Sequence, residues 1–477
     1  MSNTGKYRGA TIKSVCHKTY CYRLFMVLCL LLTISCNIIR PYQAPNANTT
    51  NLFRDISATD TNSIGRLPYN EIYTDTILQR LIAEGIAKNP DLQIAYTRVQ
   101  QAQAYYLQSE AAFFPTLNAN AGVSTSKFSE AQTFGVRKSA TQYQLGISSS
   151  WEIDIWGKLR SNRRANLASL LQSEAAARTV QTNIVSTIAS FYFTLLALDE
   201  ELIITQETVR NWDTTVQTMR ALKEAARVTE AAVVQSAAQR YAAEVTIPDL
   251  KQRIRETENA LSIVLGNVPS PINRSTLQEQ KTVSVLETGV PAQLLANRPD
   301  VQAAEFGFRS AFELTNVART NFYPSLAITG SAGLSSFDIA TLFSAGSIAA
   351  SVGAGLTQPI FNQRLNRTRL EVSRAQQQEA LINFQNTLLI AGQEVSNAVS
   401  LYQTSQEKFS IRANQILSLQ QSVDYSLELL RNGFANYTEV ITARQSLLQA
   451  QLGQVNDRLQ QLQAVVNLYR SLGGGWK

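Results

Sequence analysis

Phe113-Phe114-Pro115-Thr116-Leu117 returns later in the same chain as Phe322-Tyr323-Pro324-Ser325-Leu326, offset by 209 residues (324 − 115). Upstream of the first copy, Asn89-Pro90-Asp91-Leu92-Gln93 returns as Arg298-Pro299-Asp300-Val301-Gln302 at the same offset (300 − 91). A third pair, Val228-Thr229-Glu230 and Tyr437-Thr438-Glu439, also reads at 209 (439 − 230). One spacing recurring at three distant points indicates a duplicated unit of about 200 residues, too large for a solenoid repeat. The chain is therefore expected to be two similar halves.

Working outward from Pro115 and Pro324, both halves read in one order. A helix comes first, Asp91 to Phe113 or Asp300 to Phe322. The proline stops it, because its ring disfavours the α conformation of the residue before it. Two segments of period-two alternation follow. Leu117, Ala119, Ala121 and Val123 alternate with Asn118, Asn120, Gly122 and Ser124; then Tyr143, Leu145, Ile147 and Trp151 alternate with Gln144, Gly146, Ser148 and Glu152. The second half gives Leu326, Ile328 and Leu334 against Thr329, Ser331 and Ser335, then Ile348, Val352 and Leu356 against Ser351, Gly353 and Thr357. Strands of this length suit a tilted membrane strand, although half-buried soluble hairpins would alternate in the same way. The intervening segments, near Ser129 to Ala140 and Ser336 to Gly346, carry the Gly, Ser and charges of exposed tips.

Each hairpin leads into a long tract without helix breakers. Lys158 to Leu222 has neither Pro nor Gly, and Leu365 to Arg431 has only Gly392. As single helices these would be about 100 Å long, which with their Ala, Gln, Leu, Ser and Glu content indicates a coiled-coil-like assembly. The alternative is several shorter helices joined by poorly marked turns. Return helices are expected near Glu230 to Leu265 and Tyr437 to Leu472, the first broken by Pro248, which removes a helical hydrogen bond and clashes with the preceding turn. Asn267 to Gly289 reads as a linker.

The N-terminus carries Lys6, Arg8, Lys13, Lys18 and Arg23 with no acidic residue, then the apolar run Leu24 to Leu32. This is the pattern of a secretory signal, too short for a permanent transmembrane helix. It ends at Thr33-Ile34-Ser35-Cys36, which resembles a bacterial lipobox, with Thr33 departing from the usual Leu. That resemblance implies cleavage before Cys36 and its acylation, palmitate included. The four cysteines (16, 21, 29 and 36) and the one histidine, His17, all fall in or at the end of this segment. The processed chain then has no disulfide, no His and no thiol outside Cys36, which excludes His/Cys metal sites, Cys nucleophiles and Ser-His-Asp triads. No cofactor, metal or catalytic residue is expected. The net charge of +7 loses five positive charges with the signal, leaving about +2 (7 − 5), and shows no nucleic-acid footprint.

The expected layout is a signal over 1–35, an acylated segment over 36–76, and a first repeat over 77–266 with strands near 116–128 and 141–154. A linker over 267–290, a second repeat over 291–472 with strands near 325–336 and 347–358, and a tail over 473–477 complete it. No processed stretch of 18 apolar residues exists, so a membrane crossing would require a closed β-barrel. Four strands cannot close one. An open sheet leaves unpaired edges in lipid, so several copies must pool strands, and three copies would give twelve.

Several motifs are similar to those of the TolC-like outer membrane factor family, in its NodT- and OprM-type lipoprotein branch. They are Leu294-Leu295-Ala296-Asn297-Arg298-Pro299-Asp300-Val301 with Ala304-Glu305, and Trp151-Glu152-Ile153-Asp154-Ile155-Trp156-Gly157-Lys158-Leu159-Arg160. Gln358-Pro359-Ile360-Phe361-Asn362, Ile247-Pro248, Glu258-Asn259-Ala260-Leu261 and Leu265-Gly266 add to them, and the ending Asn467-Leu468-Tyr469-Arg470-Ser471-Leu472-Gly473-Gly474-Gly475-Trp476 is the most specific. The resemblance spans about Leu67 to Trp476. It implies a mainly α protein with membrane β: a lipid-anchored homotrimer in the outer membrane of a Gram-negative-type cell. In it a twelve-strand β-barrel would sit above a twelve-helix α-barrel crossing the periplasm. The implied partners are a periplasmic adaptor, an inner membrane pump and outer membrane lipid. The function would be a passive exit duct for drugs, metals or other toxic solutes. Type I protein secretion is the alternative, and a non-pore periplasmic spacer the more distant one.

The resemblance also implies an aperture where each long helix turns into its return helix, near Arg220 to Glu230 and Leu430 to Glu439. The family often places Asp one turn into the return helices; here those positions are about Ala232 and Thr442, a departure. Glu230 and Glu439, read as repeat-equivalent, are the nearest carboxylates, with Arg227, Arg431 and Arg444 as candidate pairing partners. The plainer reading of both Glu residues is a helix N-terminal acid favoured by the helix dipole. Trp151, Trp156, Tyr143 and Phe361 are expected either in an interfacial aromatic belt or in packing at the strand-to-helix junction. Trp476 is expected to pack.

Overall fold

The structure is a computed structural model and describes residues 38–46, 52–54, 63–127, 139–281, 288 and 291–477. The signal and Cys36 lie outside the described residues. The chain divides into two compact units.

The first unit contains Phe113–Ser161 and Leu314–Leu370, and its centre is a four-stranded antiparallel sheet in the order β1-β2-β3-β4. The strands are β1 Thr116–Lys127, β2 Ser139–Ile153, β3 Ser325–Ser336 and β4 Ile348–Thr357. Their starts follow from the prolines: the preceding helices stop at Ala111 and Thr320, two residues short of the expected Phe113 and Phe322, and the strands begin directly after Pro115 and Pro324. Between β3 and β4 the chain makes two 3-10 turns, Ile339–Thr341 and Ala345–Ser347.

The second unit holds most of the helical mass. In chain order the helices are α1 Tyr69–Ile72, α2 Thr76–Lys88, α3 Pro90–Ala111, α4 Lys158–Glu224, α5 Glu230–Glu244, α6 Thr246–Val264, α7 Leu294–Asn297, α8 Pro299–Thr320, α9 Leu365–Arg431 and α10 Tyr437–Ser471. The two tracts without helix breakers are single helices of 67 residues each. Pro248 acts as expected: the return path breaks at Val245, between α5 and α6. Pro248 thus sits in the first turn of α6, where its missing N–H costs nothing.

Burial concentrates midway along the long helices. Ile184, Val185, Ile188, Tyr192, Leu195 and Leu196 of α4 repeat at helical spacing and are buried with Phe384, Leu388, Val395 and Tyr402 of α9. Leu78 and Ile82 of α2, Leu261 of α6, and Leu462, Val465, Val466 and Tyr469 of α10 close the same cluster. A smaller cluster (Met219, Ala232, Val233, Leu430 and Val440) ties the four helix ends at the two turns together.

The duplication is visible in detail but not at one constant offset. α3 and α8 start 209 residues apart (299 − 90), as do β1 and β3 (325 − 116). From the long helices onward the offset is 207 (365 − 158 and 437 − 230). The second hairpin is two residues shorter, and everything after it moves accordingly. Reading the third sequence pair at 209 is therefore a chance match. By structure Glu230 corresponds to Tyr437, and Glu439 corresponds to Ala232.

Candidate functional site

The sheet sorts its side chains by polarity. The register pairs Ala119 with Ile147, Ala121 with Leu145 and Val123 with Tyr143. It pairs Leu145 with Leu334, Trp151 with Ile328 and Ile153 with Leu326, and Leu334 with Ile348, Gly330 with Val352 and Leu326 with Leu356. Directly paired residues share a face, so one face carries an apolar field that crosses all four strands, interrupted at Ser149 beside Gly330. The other face carries Asn118, Asn120, Ser124, Gln142, Gln144, Ser148, Thr329, Ser331, Ser335 and Ser351. The apolar face is accessible: Val352 is 87% exposed and Leu356 68%. An apolar face of this extent requires an apolar cover. Among the described residues no helix is long and apolar enough to cross a membrane.

The first strand-to-helix junction is rigidly built. Asp154 accepts from the backbone N–H groups of Leu159 at 3.0 Å and Arg160 at 3.1 Å, satisfying orphan donors of α4. Lys158 pairs with Glu152 at 2.9 Å and Arg160 with Asp154 at 3.0 Å. Trp156 donates its indole N–H to the Pro324 carbonyl at 2.7 Å and lies against Tyr323, while Trp151 donates to the Phe113 carbonyl at 2.8 Å. Trp156 serves packing at the junction, whereas Trp151 is 40% exposed and stands on the sheet's apolar face. Phe361, in contrast, is 87% exposed.

The two turns between long and return helices are the candidate gate. In each, the second residue after the long helix adopts a left-handed conformation, Ala226 at φ 57° and Gly433 at φ 81°. Arg227 N donates to Leu222 O and Ala226 N to Lys223 O; Phe434 N donates to Leu429 O and Gly433 N to Leu430 O. This paired closure satisfies the last carbonyls of each long helix.

The expected ion pairs do not form here. Glu230 pairs with Lys223 across its own turn, not with an arginine. Arg227 donates to the Arg431 carbonyl at 2.6 Å, and Arg431 lies 3.9 Å from Glu428 on its own helix. Glu439 completes a capping box with Asn436, accepting from the Asn436 N–H at 3.3 Å. That is the plainer reading of Glu439, and it follows from Asn-x-x-Glu spacing. Ala232 is fully buried and Thr442 exposed. The Nε of Arg444 is buried without a hydrogen bond, and burial lowers its pKa against the opposing charge of Asp424. Sequence reading missed Lys223, whose signal was an opposite charge seven residues before Glu230, on the other side of the turn.

Both copies of this architecture match one family model, described as outer membrane efflux protein, over residues 81–267 and 290–474. The chain belongs to the outer membrane efflux protein family. It is 28% identical over 414 residues to the cation efflux system protein CusC of Escherichia coli O6:H1, covering 86% of this chain and 88% of CusC. It is also 28% identical over 464 residues to the solvent efflux pump outer membrane protein SrpC of Pseudomonas putida, covering 95% of this chain and 98% of SrpC. Among solved structures, one of CusC concerned with transmembrane channel formation superposes with a TM-score of 0.82 at 25% identity, over 92% of this chain and 99% of that one. As an outer membrane efflux protein the chain is a channel component of the outer membrane and not an enzyme. Trp476 packs, as expected: its indole N–H donates to the Asn297 carbonyl at 3.1 Å and Arg178 stacks on its ring at 5.0 Å.

Proposed function

We propose that three copies of this chain pool their strands into one twelve-strand barrel whose apolar face meets lipid and whose polar face lines a water-filled exit duct. The observation that carries this is the apolar field on one face of a four-stranded sheet whose outer strands, β1 and β4, each have only one neighbour among the described residues. In hydrocarbon every backbone donor and acceptor must be paired within protein, and four strands cannot curl far enough to pair with themselves. The long helices extend the duct, Cys36 is the acylated anchor, and the helical turns form the periplasmic aperture. An adaptor and an inner membrane pump supply cargo and energy, as the family resemblance implies.

The cargo class is small toxic solutes. CusC is named for cations and SrpC for solvents, and the polar face, which is uncharged apart from Glu152 at its end, suits solutes of either kind. At the aperture, Glu230 and Glu439 stand two structural positions apart and would form two staggered carboxylate rings in a trimer, attracting cations. Planar-bilayer recording of the purified protein tests the whole reading: discrete trimer-sized conductance steps are expected, and their absence from detergent-solubilised oligomer reconstituted at several ratios sinks the duct. Glu230→Gln/Glu439→Gln channels are expected to lose cation preference; unchanged selectivity removes the rings while leaving the duct standing.

A further inference from the structure

A trimeric barrel requires β4 of one copy to meet β1 of the next, but it does not say which residues face each other. We propose that this seam is set by the internal repeat, with Ile360 facing Leu117, Leu356 facing Ala121, Ala354 facing Val123 and Val352 facing Thr125 of a second copy. The inference rests on the trimeric reading and adds the register.

The template is the seam between β2 and β3, which joins the two halves within one chain. Each seam strand has a counterpart. β3 maps back onto β1 by 209 residues, since both begin directly after their Phe-x-Pro motif. The two hairpin registers then fix the second mapping. Thr116 pairs with Ser150 and Ser325 with Thr357, so β2 maps forward onto β4 by 207. The same 207 separates the starts of the two long helices. Within the chain Ile153 faces Leu326. Moving Ile153 forward by 207 gives Ile360, and moving Leu326 back by 209 gives Leu117.

Two observations not used in that mapping agree with it. The first is polarity. The mapped pairs Leu356 with Ala121 and Ala354 with Val123 lie on the apolar face of their own strands, so the lipid-facing field continues across the seam. A slip of one residue would set Leu356 against Asn120 or Gly122 and bring the polar face out to lipid. The second is exposure. Ile360 is 99% exposed and Leu117 70%, whereas their within-chain counterparts Ile153 and Leu326 are each partly covered by the other's strand. The mapped seam runs from Ala350 to Ile360 against Leu117 to Lys127, as long as the seam between β2 and β3. It makes Gln358, Pro359 and Ile360 an extension of β4 that gains its partner only from another copy.

Cysteine pairs read the register directly, because Cys36 is the only other cysteine expected in the processed chain. Opposed residues bring their Cβ atoms within about 5 Å, and diagonal ones about 7–8 Å. The full-length protein in its own membranes is oxidised and run on non-reducing gels. Ala121→Cys/Leu356→Cys and, on the polar face, Ser126→Cys/Ser351→Cys are expected to give linked dimers and trimers. Leu356→Cys with Ala119→Cys or with Val123→Cys is expected to link about ten-fold more slowly. Faster linking by either of the latter two overturns the register. A lysine-reactive cross-linker on the same membranes separates the layers of the claim. Trimers seen that way without any cysteine link refute the seam alone, and no oligomer by either route refutes the trimeric reading beneath it.

Discussion

The two halves fasten the end of their return helix with different chemistry at the same place. In the first half Asn89 accepts from Leu92 N at 3.1 Å through its carbonyl oxygen and donates to the Val264 carbonyl at 2.7 Å through its amide. One neutral side chain thus caps the start of α3 and the end of α6. In the second half the corresponding residue is Arg298, which donates to the Ser471 carbonyl at 2.9 Å, at the end of α10. A guanidinium cannot accept, so the cap of α8 passes to Asp300, which accepts from Val301 N at 2.9 Å. Arg298 is buried, and it is held by Asp300 at 2.6 Å and Glu394 at 2.7 Å. Burial opposes its charge, but the bonds and charges of those two carboxylates outweigh burial and raise its pKa. The comparison shows that the duplicated backbone geometry is what the fold requires, and that a neutral amide or a charge network can each satisfy it.

The largest expected effect separates those two solutions. Arg298→Ala strips a buried charge partner from two carboxylates, and such losses reach about 3–5 kcal/mol. The value here is expected near 3 because both carboxylates keep some solvent and Glu394 keeps Arg470 at 3.4 Å. Chemical unfolding in detergent measures it, and a loss below about 1 kcal/mol would mean that the network adds nothing to the single bond on Ser471. Asn89→Ala comes next, at about 1–2 kcal/mol for a cap and one buried acceptor left unpaired. Asn89→Asp sharpens the point. Asp caps helices as well as Asn does, but here it would aim a carboxylate at the C-terminal carbonyls of α6, where negative charge is unfavourable. It is expected to be no better than Ala; a near-native Asp variant would show that the cap alone matters and that the bond to Val264 is incidental.

Most of this architecture is legible in the sequence, and the exceptions have one physical source. Period-two patterns bounded by Pro115 and Pro324 locate the strands because proline position and side-chain alternation are local properties. The absence of breakers locates the two long helices for the same reason. The pairing of the two turns is not legible, because the repeat offset changes from 209 to 207 within the hairpins. The two-residue difference between the hairpins leaves no mark at Glu230 or Glu439, and the strand registers and helix starts reveal it. The ion pairs are not legible either, because Glu230 and Arg431 have charged neighbours on their own turn or helix, Lys223 and Glu428, and side-chain packing decides among them. The apolar residues Leu117 and Ile360 carried their meaning only once the registers were known.

The smallest expected effect lies at the two turns, where the halves again differ by one residue. Gly433 occupies its left-handed conformation without penalty, whereas Ala226, in the same closure, places a Cβ against the adjoining carbonyl at a cost of about 1 kcal/mol. Ala226→Gly should therefore tighten the first turn and Gly433→Ala loosen the second by similar amounts. Global unfolding is a poor readout, because a helix end opens locally long before the core does. Amide exchange at Arg227 and Phe434, whose N–H groups close the two turns, isolates the effect. Exchange at Arg227 is expected to slow about five-fold in Ala226→Gly, and exchange at Phe434 to quicken about five-fold in Gly433→Ala, as roughly 1 kcal/mol requires. Equal rates in all three proteins would mean that Arg227, through its bond to the Arg431 carbonyl, and not backbone conformation, keeps the turns shut.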